Sequence, residues 1–540
     1  MLIVHFLSPV EMDRKLWGYW SRSNGLITSL SLILISLSFF IFAKNQNFII
    51  STLFTIELFA CLTATYGVFQ KFGLDPFAWS VSNQVFGTFG NTNFASAVWS
   101  LGAMTSFSLL LMTWGLKKQR WMHISLTTVL LIVIYWTNSI QGLIAFGLFL
   151  AFCIFIFAKR KGVKFLVAYL VFAVSSAVVV VPSMFGVGLI GSALEQYTLK
   201  LRSLYWLAGI KMGNSSPVIG IGVDSYGDYY RNFRSLETAK LTSIDLVTNN
   251  AHNTFIQSYA TLGILGLSSV VLLFITSLYR ASKILFNRES TFENELIAAI
   301  FIVLWLLACI SIDNIAIAVW NWLFLGLVIG TNIVQREIQV PQTNPKSKKS
   351  MSKELGTLSP LKYLSLALCA ACFAFSWGSS QSDRELISTF NTPTFADNQA
   401  SLDKRANDLL RIVRNPIAQE GHYLYVAKGL IAINRHSEAI AVLESGLRRY
   451  PRDFVLLSLM SQEQIDFGST NDAIKYLEKM TILDQRRAAT WLNLAFMYSR
   501  NNDFALSRNA ARRAYQFAEF LDENGKTALE SLTTNLRENP

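Results

Sequence analysis

Long apolar runs recur through this chain up to residue 378, and they constrain its fold more than any other feature. A helix needs about 20 apolar residues to cross a bilayer. Within lipid, only helices and closed barrels satisfy their own backbone hydrogen bonds, so runs of this length predict membrane helices. About ten spans are predicted, at roughly 25–43, 48–69, 93–115, 121–137, 139–158, 164–188, 254–279, 294–312, 315–334 and 362–378.

The composition agrees with a membrane location. Hydrophobic residues make up 52% of the chain and charged residues only 15%, whereas a soluble domain has about 25% charged residues. The net charge of +12 needs no nucleic acid partner, because membrane proteins accumulate Lys and Arg in their cytoplasmic loops. All the cysteines lie in apolar segments, which predicts neither disulfides nor metal sites: Cys61, Cys153, Cys309, Cys369 and Cys372.

The basic loops set the orientation of the spans. Clusters at 117–120, 159–164, 280–288 and 346–349 fall on one side if the spans alternate, and that side is cytoplasmic by the positive-inside rule. The N-terminus, the loop 189–253 and everything after 379 then lie outside. Because nothing in the sequence would carry such an N-terminus across the membrane, we expect one or more spans upstream.

The exterior loop 189–253 carries six basic and five acidic residues. With a net charge of only +1, individual arginines rather than a general basic surface must bind any anion. Residues 194–213 alternate apolar and polar groups with helical spacing, which suits a helix at the membrane surface. The segment 217–222, Pro-Val-Ile-Gly-Ile-Gly, then predicts a tight turn.

A soluble helical domain follows the last predicted span. Ala439 and Ala473 lie 34 residues apart, and Ala505 follows 32 residues later. A period of 34 with a small residue at the helix contact is the tetratricopeptide pattern, and Pro451 closes one repeat as that pattern expects. About three repeats fit, near the minimum for a stable stack. An unrelated helical bundle is the alternative.

His252 stands where the long polar loop gives way to an apolar helix, in the run 249–267. Imidazole titrates near neutral pH, so a histidine at such a boundary can accept a proton from a sugar hydroxyl. The alternative is a polar cluster that caps the helix at the membrane interface. Glu57 lies inside a predicted span, where an unpaired carboxylate is costly, so it needs a partner that the sequence does not name.

Several stretches together resemble the O-antigen ligase family, in particular bacterial members with a tetratricopeptide tail. They include an Arg-x-Asn-Gly start to a span, an Asn-x-Asn segment, a loop signature and an Ala-His-Asn segment, all on the predicted exterior side. They lie at 17–26, at 70–77 with 86–93, at 202–222 and at 251–253. The chain departs from the family at Thr261, where many relatives have an acidic residue.

The resemblance implies transfer of a glycan from a polyprenyl-pyrophosphate carrier to an acceptor hydroxyl outside the cytoplasmic membrane. It makes His252 the catalytic base and Arg202 and Arg22 the clamp on the pyrophosphate. Arg231, Arg234 and Asn253 are further candidates for substrate binding. No carboxylate pair with metal-ligand spacing lies on the exterior side, so we expect no metal and no cofactor.

The resulting prediction is an all-α polytopic membrane helix bundle with a C-terminal extracytoplasmic tetratricopeptide α-solenoid. Residues 1–336 form the membrane domain, 337–361 a basic cytoplasmic linker, 362–378 the final transmembrane helix and 379–540 the repeat domain. We expect a multi-pass protein of the cytoplasmic membrane whose partners are a lipid-linked glycan, its acceptor (a lipid, protein or wall polymer) and any protein held by the repeats. Two other functions stay open: a polymerase of glycan repeat units, and a non-enzymatic transporter or membrane-anchored scaffold.

Overall fold

The computed structural model describes residues 2–20, 22–77, 84–183, 197–311, 314–338, parts of 367–390 and 399–538. These residues form helices and loops, and no strand occurs among them. The helices before the tail are Leu2–Leu7, Met12–Trp17, Leu26–Phe42, Gln46–Lys71, Thr92–Met112, Lys117–Trp136, Ile140–Lys161, Val163–Ser183, Tyr197–Ser215, Tyr226–Phe233, Leu236–Leu241, Thr254–Phe286, Phe292–Ala308 and Ile315–Ile338.

Nine of the ten predicted spans coincide with a helix. Five helices are long and apolar enough to cross a membrane by themselves: Gln46–Lys71, Thr92–Met112, Ile140–Lys161, the first 18 residues of Val163–Ser183, and Thr254–Phe286. Two shorter apolar helices are Leu26–Phe42 and Ile315–Thr331. The tenth predicted span, 362–378, lies mostly outside the described residues. The structure thus shows a polytopic membrane protein, while the number of ten crossings stays a prediction.

The membrane helices pack around Thr92–Met112. This helix is buried on almost every side, and its serines and threonines bond within the protein. The helix Val163–Ser183 is the opposite case, because none of its apolar span is buried. Its valines and phenylalanines therefore face outward, as expected for a helix surrounded by lipid.

Glu57 has a buried partner on another helix. Its carboxylate lies 2.7 Å from Nδ1 of His123, and both side chains are at least 96% buried. The backbone oxygen of His123 accepts a hydrogen bond from Ser106, which itself accepts one from Thr127. The hydrogen bond between Glu57 and His123 offsets part of the cost of burying the carboxylate among apolar helices.

The long helix Thr254–Phe286 is broken at Gly263, whose backbone takes a φ of +64°. The break frees carbonyl groups, and the predicted turn at 217–222 satisfies them. The amides of Ile221 and Gly222 donate to Ala260 and Thr261 at 3.0 and 3.1 Å. A Cβ on Gly263 would lie 2.4 Å from the backbone of Val218, so only glycine permits this approach. The turn thereby anchors the loop to the helix that follows His252.

The tail consists of stacked helix pairs. Its helices are Gln399–Arg414, Glu420–Ala432, His436–Arg449, Phe454–Phe467, Thr470–Leu483, Ala488–Arg500, Phe504–Gln516 and Glu523–Glu538. Corresponding helices of successive pairs begin 34 residues apart, at 420, 454 and 488 and at 436, 470 and 504. The spacing supports tetratricopeptide repeats, and that assignment stays a prediction.

One detail of the predicted repeat register is wrong. Ala439 and Ala473 are fully buried at the fourth position of their helices, as expected. Ala505 is exposed, however. Ser507 takes the equivalent position 34 residues after Ala473 and is also fully buried, because its hydroxyl donates to the Ala495 oxygen at 2.7 Å. Serine occupies the position where the pattern predicts alanine. The prediction of Ala505 as the contact residue is therefore off by two residues.

Candidate active site

His252 lies directly before the helix Thr254–Phe286, in a backbone conformation fixed by its neighbours. Its φ is +56°, in the left-handed region, and its amide donates to the side chain of Asn250 at 2.7 Å. The imidazole faces the ring of Tyr205 with 5.5 Å between ring centroids. Tyr205 belongs to the helix Tyr197–Ser215, so this contact positions the imidazole against the loop.

Two arginines from distant parts of the chain bring positive charge to His252. Burial, together with the charges of Arg202 and Arg22, lowers the pKa of His252 to about 3. The imidazole is therefore neutral at physiological pH. The effect of both guanidinium groups on the imidazole supports the prediction that the three residues share one site.

Both arginines are partly withdrawn from water, and the charge of the Asp224 carboxylate acts on Arg22. Arg202 is 9% exposed, and burial lowers the pKa of both guanidinium groups. The Nε atom of Arg22 is buried and has no hydrogen-bond partner. In the part of the chain that the structure describes, neither side chain forms an ion pair. Buried charges are normally paired, so Arg202, which has no ion pair among the described residues, can still bind an anion.

Asp224 shapes the segment that carries Arg22. Its carboxylate accepts hydrogen bonds from the backbone amides of Tyr19 at 2.7 Å and Asn24 at 3.3 Å. These bonds close the chain around Arg22. Burial raises the pKa of Asp224 to about 6, opposed by these amides and by the charges of Arg14 and Arg22. The sequence analysis missed this residue, although its place just after the glycine turn 217–222 was a usable signal.

Asn253 acts as the N-cap of the helix beside His252. Its side-chain oxygen accepts hydrogen bonds from the amides of Phe255 and Ile256, each at 3.0 Å. Its side-chain nitrogen donates to the Cys309 oxygen at 2.8 Å, which ties two helices together. These bonds engage both ends of the amide, so the structure gives Asn253 a positioning contact rather than an open substrate-binding group.

Arg231 and Arg234 do not join this site. Both bond to Asp484 of the tail, at 3.2 and 2.7 Å, and the carboxylate of Asp484 is fully buried. They also donate to backbone oxygens of 244–246. These bonds hold the loop against the tail, and the expectation that Arg231 and Arg234 bind substrate stays a prediction. The two guanidinium groups share a single carboxylate.

The tail contacts the N-terminal segment as well as the loop. Arg14 bonds to Asp228 of the loop and Glu420 of the tail, each at 3.2 Å. The amide of Trp20 also donates to Glu420 at 2.8 Å. Because Trp20 and Arg22 are only two residues apart, the docked tail helps to fix the segment that carries Arg22.

Together, the fold and the site define a polytopic helical membrane protein with a buried cationic centre at the exit of a long polar loop. His252 stands in this centre with Arg202 and Arg22 close enough to lower its pKa, and neither arginine forms an ion pair among the described residues.

Comparison with known proteins agrees with this class. Residues 124–271 match the family model described as O-Antigen ligase. The match contains Arg202 and His252 and excludes Arg22 and the tail. A stretch of 133 residues is 27% identical to the exopolysaccharide production protein ExoQ of Rhizobium meliloti (strain 1021). The aligned stretch covers 24% of this chain and 30% of the length of that protein. Both findings support the O-antigen ligase family, which comprises membrane glycan ligases and polymerases, for this region of the chain.

Proposed function

We propose that this protein transfers a glycan from a polyprenyl-pyrophosphate carrier to an acceptor hydroxyl at the outer face of the cytoplasmic membrane. One observation carries the proposal: buried Arg202 and half-buried Arg22, which form no ion pair among the described residues, lie close enough to His252 for their charges to lower its pKa. Pyrophosphate supplies the missing anion, because the planar guanidinium fork binds phosphate oxygens in pairs.

The reaction divides between these residues in a simple way. The acceptor hydroxyl oxygen bonds to the anomeric carbon of the donor sugar, and the bond from that carbon to the pyrophosphate breaks. The electron pair of the broken bond stays on the pyrophosphate, where Arg202 and Arg22 stabilise the added charge. His252 accepts the proton of the hydroxyl.

The low pKa of free His252 fits this division of labour. The two cations that depress its basicity are the groups that the donor's pyrophosphate neutralises. Once the donor is bound, the charges around the imidazole nearly cancel, and the pKa of His252 rises, while burial, the larger cause of its low value, still lowers it. Donor binding therefore makes His252 a stronger base.

A substitution at His252 tests the proposal. His252→Asn is the sharpest choice, because asparagine tolerates the left-handed backbone at this position and keeps a polar side chain. It lacks a group that accepts a proton near neutral pH. Removal of a general base lowers rates by about 100- to 10,000-fold, and we expect a loss of that size in membranes supplied with labelled lipid-linked glycan.

A matched control separates chemistry from folding. His436 lies in the tail, where its imidazole pairs with Glu463 at 2.8 Å. His436→Gln is expected to leave transfer unchanged at equal protein levels. Parental activity in His252→Asn would contradict the catalytic role of the histidine and leave it as part of a helix cap.

Repeat-unit polymerisation is the second candidate function. Its support is the name of the relative, an exopolysaccharide production protein. Polymerisation uses the same chemistry at the donor, and the acceptor is then a second lipid-linked repeat unit. Product length distinguishes the two: a ligase attaches one preassembled chain, whereas a polymerase gives a ladder of repeats.

A further inference from the structure

A cavity of about 480 Å³ opens between the loop and the tail, away from His252. We call it the seam cavity. Its lining includes Asn232 of the loop and, from the tail, Gln485, Arg486, Trp491, Arg513 and Phe517. Of its nine lining residues three are arginines and none is acidic. The volume falls within the range of small-molecule binding sites.

The positive charge in the seam cavity is not cancelled by its surroundings. Arg231 is paired with buried Asp484. The side chain of Arg486 donates to the Arg234 backbone oxygen at 2.8 Å, and that of Arg513 donates to the Gln516 side chain at 3.2 Å. Both acceptors are neutral, so Arg486 and Arg513 give the cavity a net positive charge.

The aromatic and amide groups narrow down the ligand chemistry. The indole N–H of Trp491 donates to the Gln485 backbone oxygen at 2.8 Å, which holds the half-buried ring in place. Amphipathic aromatic rings offer an apolar face to the C–H surface of a sugar. The amides of Asn232 and Gln485 suit hydroxyl groups. A guanidinium fork suits a carboxylate.

The cavity continues along the helix Phe504–Gln516. A second cavity of about 580 Å³ shares Thr481, Trp491 and Arg513 with it and adds Arg512 and Glu478, whose carboxylate accepts a hydrogen bond from Tyr498. A third cavity, of about 460 Å³, again includes Arg512. A helix of 13 residues spans about 20 Å. The basic track is thus long enough for a chain of sugars rather than a single ring.

We propose that the seam cavity binds an acidic glycan whose sugars carry carboxylate groups. The choice of a glycan among polyanions rests on the proposed function, whereas the cavity and its charge do not. Bound there, the glycan lies between the loop that carries His252 and the tail. The tail then holds the glycan while one end of the glycan reaches the candidate active site around His252.

Equilibrium binding tests the proposal without requiring catalysis. The full chain carrying His252→Asn is placed in nanodiscs, and a labelled hexamer of galacturonic acid is titrated in. A neutral glucose hexamer and a hexaglutamate peptide are titrated under the same salt conditions. We expect the uronic acid hexamer to bind best.

Substitutions assign that binding to the seam cavity. Arg513→Gln is expected to weaken it by about tenfold or more, as for loss of a bond to a charged group, and Trp491→Ala should weaken it by removing the aromatic face. Trp491→Phe keeps an aromatic face and should restore most of the affinity lost in Trp491→Ala. Arg500→Gln removes an exposed arginine from the same helix as Trp491 and should change nothing.

Several outcomes overturn the inference. Equal binding of the neutral hexamer excludes recognition of acidic groups. Stronger binding of hexaglutamate makes the site a peptide site. No binding of the uronic acid hexamer, or binding that Trp491→Ala and Arg513→Gln leave intact, removes the cavity as a glycan site. Failure of glycan transfer in the parental protein, with binding retained, refutes the proposed function instead.

Discussion

Removal of the Asp484 charge should release the loop from the tail. Asp484→Asn keeps the size of the side chain and one oxygen but leaves Arg231 and Arg234 buried without a counter-charge. Loss of one member of a buried ion pair costs about 3–5 kcal/mol. Because both arginines keep their bonds to the backbone oxygens of 244–246, we expect the lower end, about 3 kcal/mol.

That free energy converts to a measurable change in docking. At about 1.4 kcal/mol per tenfold, the equilibrium between docked and undocked tail shifts by roughly 150-fold. Hydrogen exchange of the full-length protein in detergent reports it, through faster exchange of amides in 226–246. Amides in the buried helix Thr92–Met112 should not change, which separates undocking from global unfolding.

A matched control defines the specificity of the effect. Asp466 is an exposed aspartate of the tail that bonds only locally, to Gln462 at 2.7 Å. Asp466→Asn removes the same charge without touching the loop, so its exchange should equal that of the parent. If Asp484→Asn also exchanges like the parent in 226–246, the buried pairs do not hold the loop, and this account of Arg231 and Arg234 is refuted.

The remaining predictions concern the transfer centre and its location. Arg202→Lys keeps the charge but loses the planar fork, so transfer of labelled lipid-linked glycan should fall by about tenfold or more, whereas a parental rate would exclude a bidentate clamp. Because burial and the charges of Arg202 and Arg22 lower the pKa of free His252 to about 3, kcat/KM should stay level from about pH 7 to about pH 5. Arg202→Gln should raise that pKa and move the acid limb of the profile upward; an unmoved limb would mean that the two side chains do not interact. Protease added to intact spheroplasts should remove the tail, and full protection would place it in the cytoplasm. Transfer should persist in excess EDTA, and a loss restored by Mg²⁺ would reveal a metal requirement.

The same pKa shift affects stability. The folded pKa of His252 lies below the ordinary histidine value of about 6.5. Below that pH His252 binds a proton in the unfolded chain but stays neutral in the folded chain. Stability therefore declines as pH falls from about 6.5 towards 3, and the contribution of this group is constant above about pH 7.

The sequence by itself determined the helices and the general place of the site. Hydropathy acts locally, so a run such as 93–115 predicts the helix Thr92–Met112 without knowledge of any neighbour. The 34-residue spacing of the tail helices followed from a repeat in the chain. The boundary between polar loop and apolar helix singled out His252 for the same reason.

Only the tertiary structure decided which charges are paired. Nothing local distinguishes Arg202, which is buried without an ion pair among the described residues, from Arg234, whose partner Asp484 lies 250 residues further along the chain. Glu57 likewise has a partner that the sequence does not identify, because His123 lies on another helix and is brought close only by packing. The free energy of a charge depends on burial and on groups brought close by folding. Residue type predicts that an arginine can bind an anion, whereas the fold decides whether that anion is the protein's own carboxylate or a ligand's phosphate.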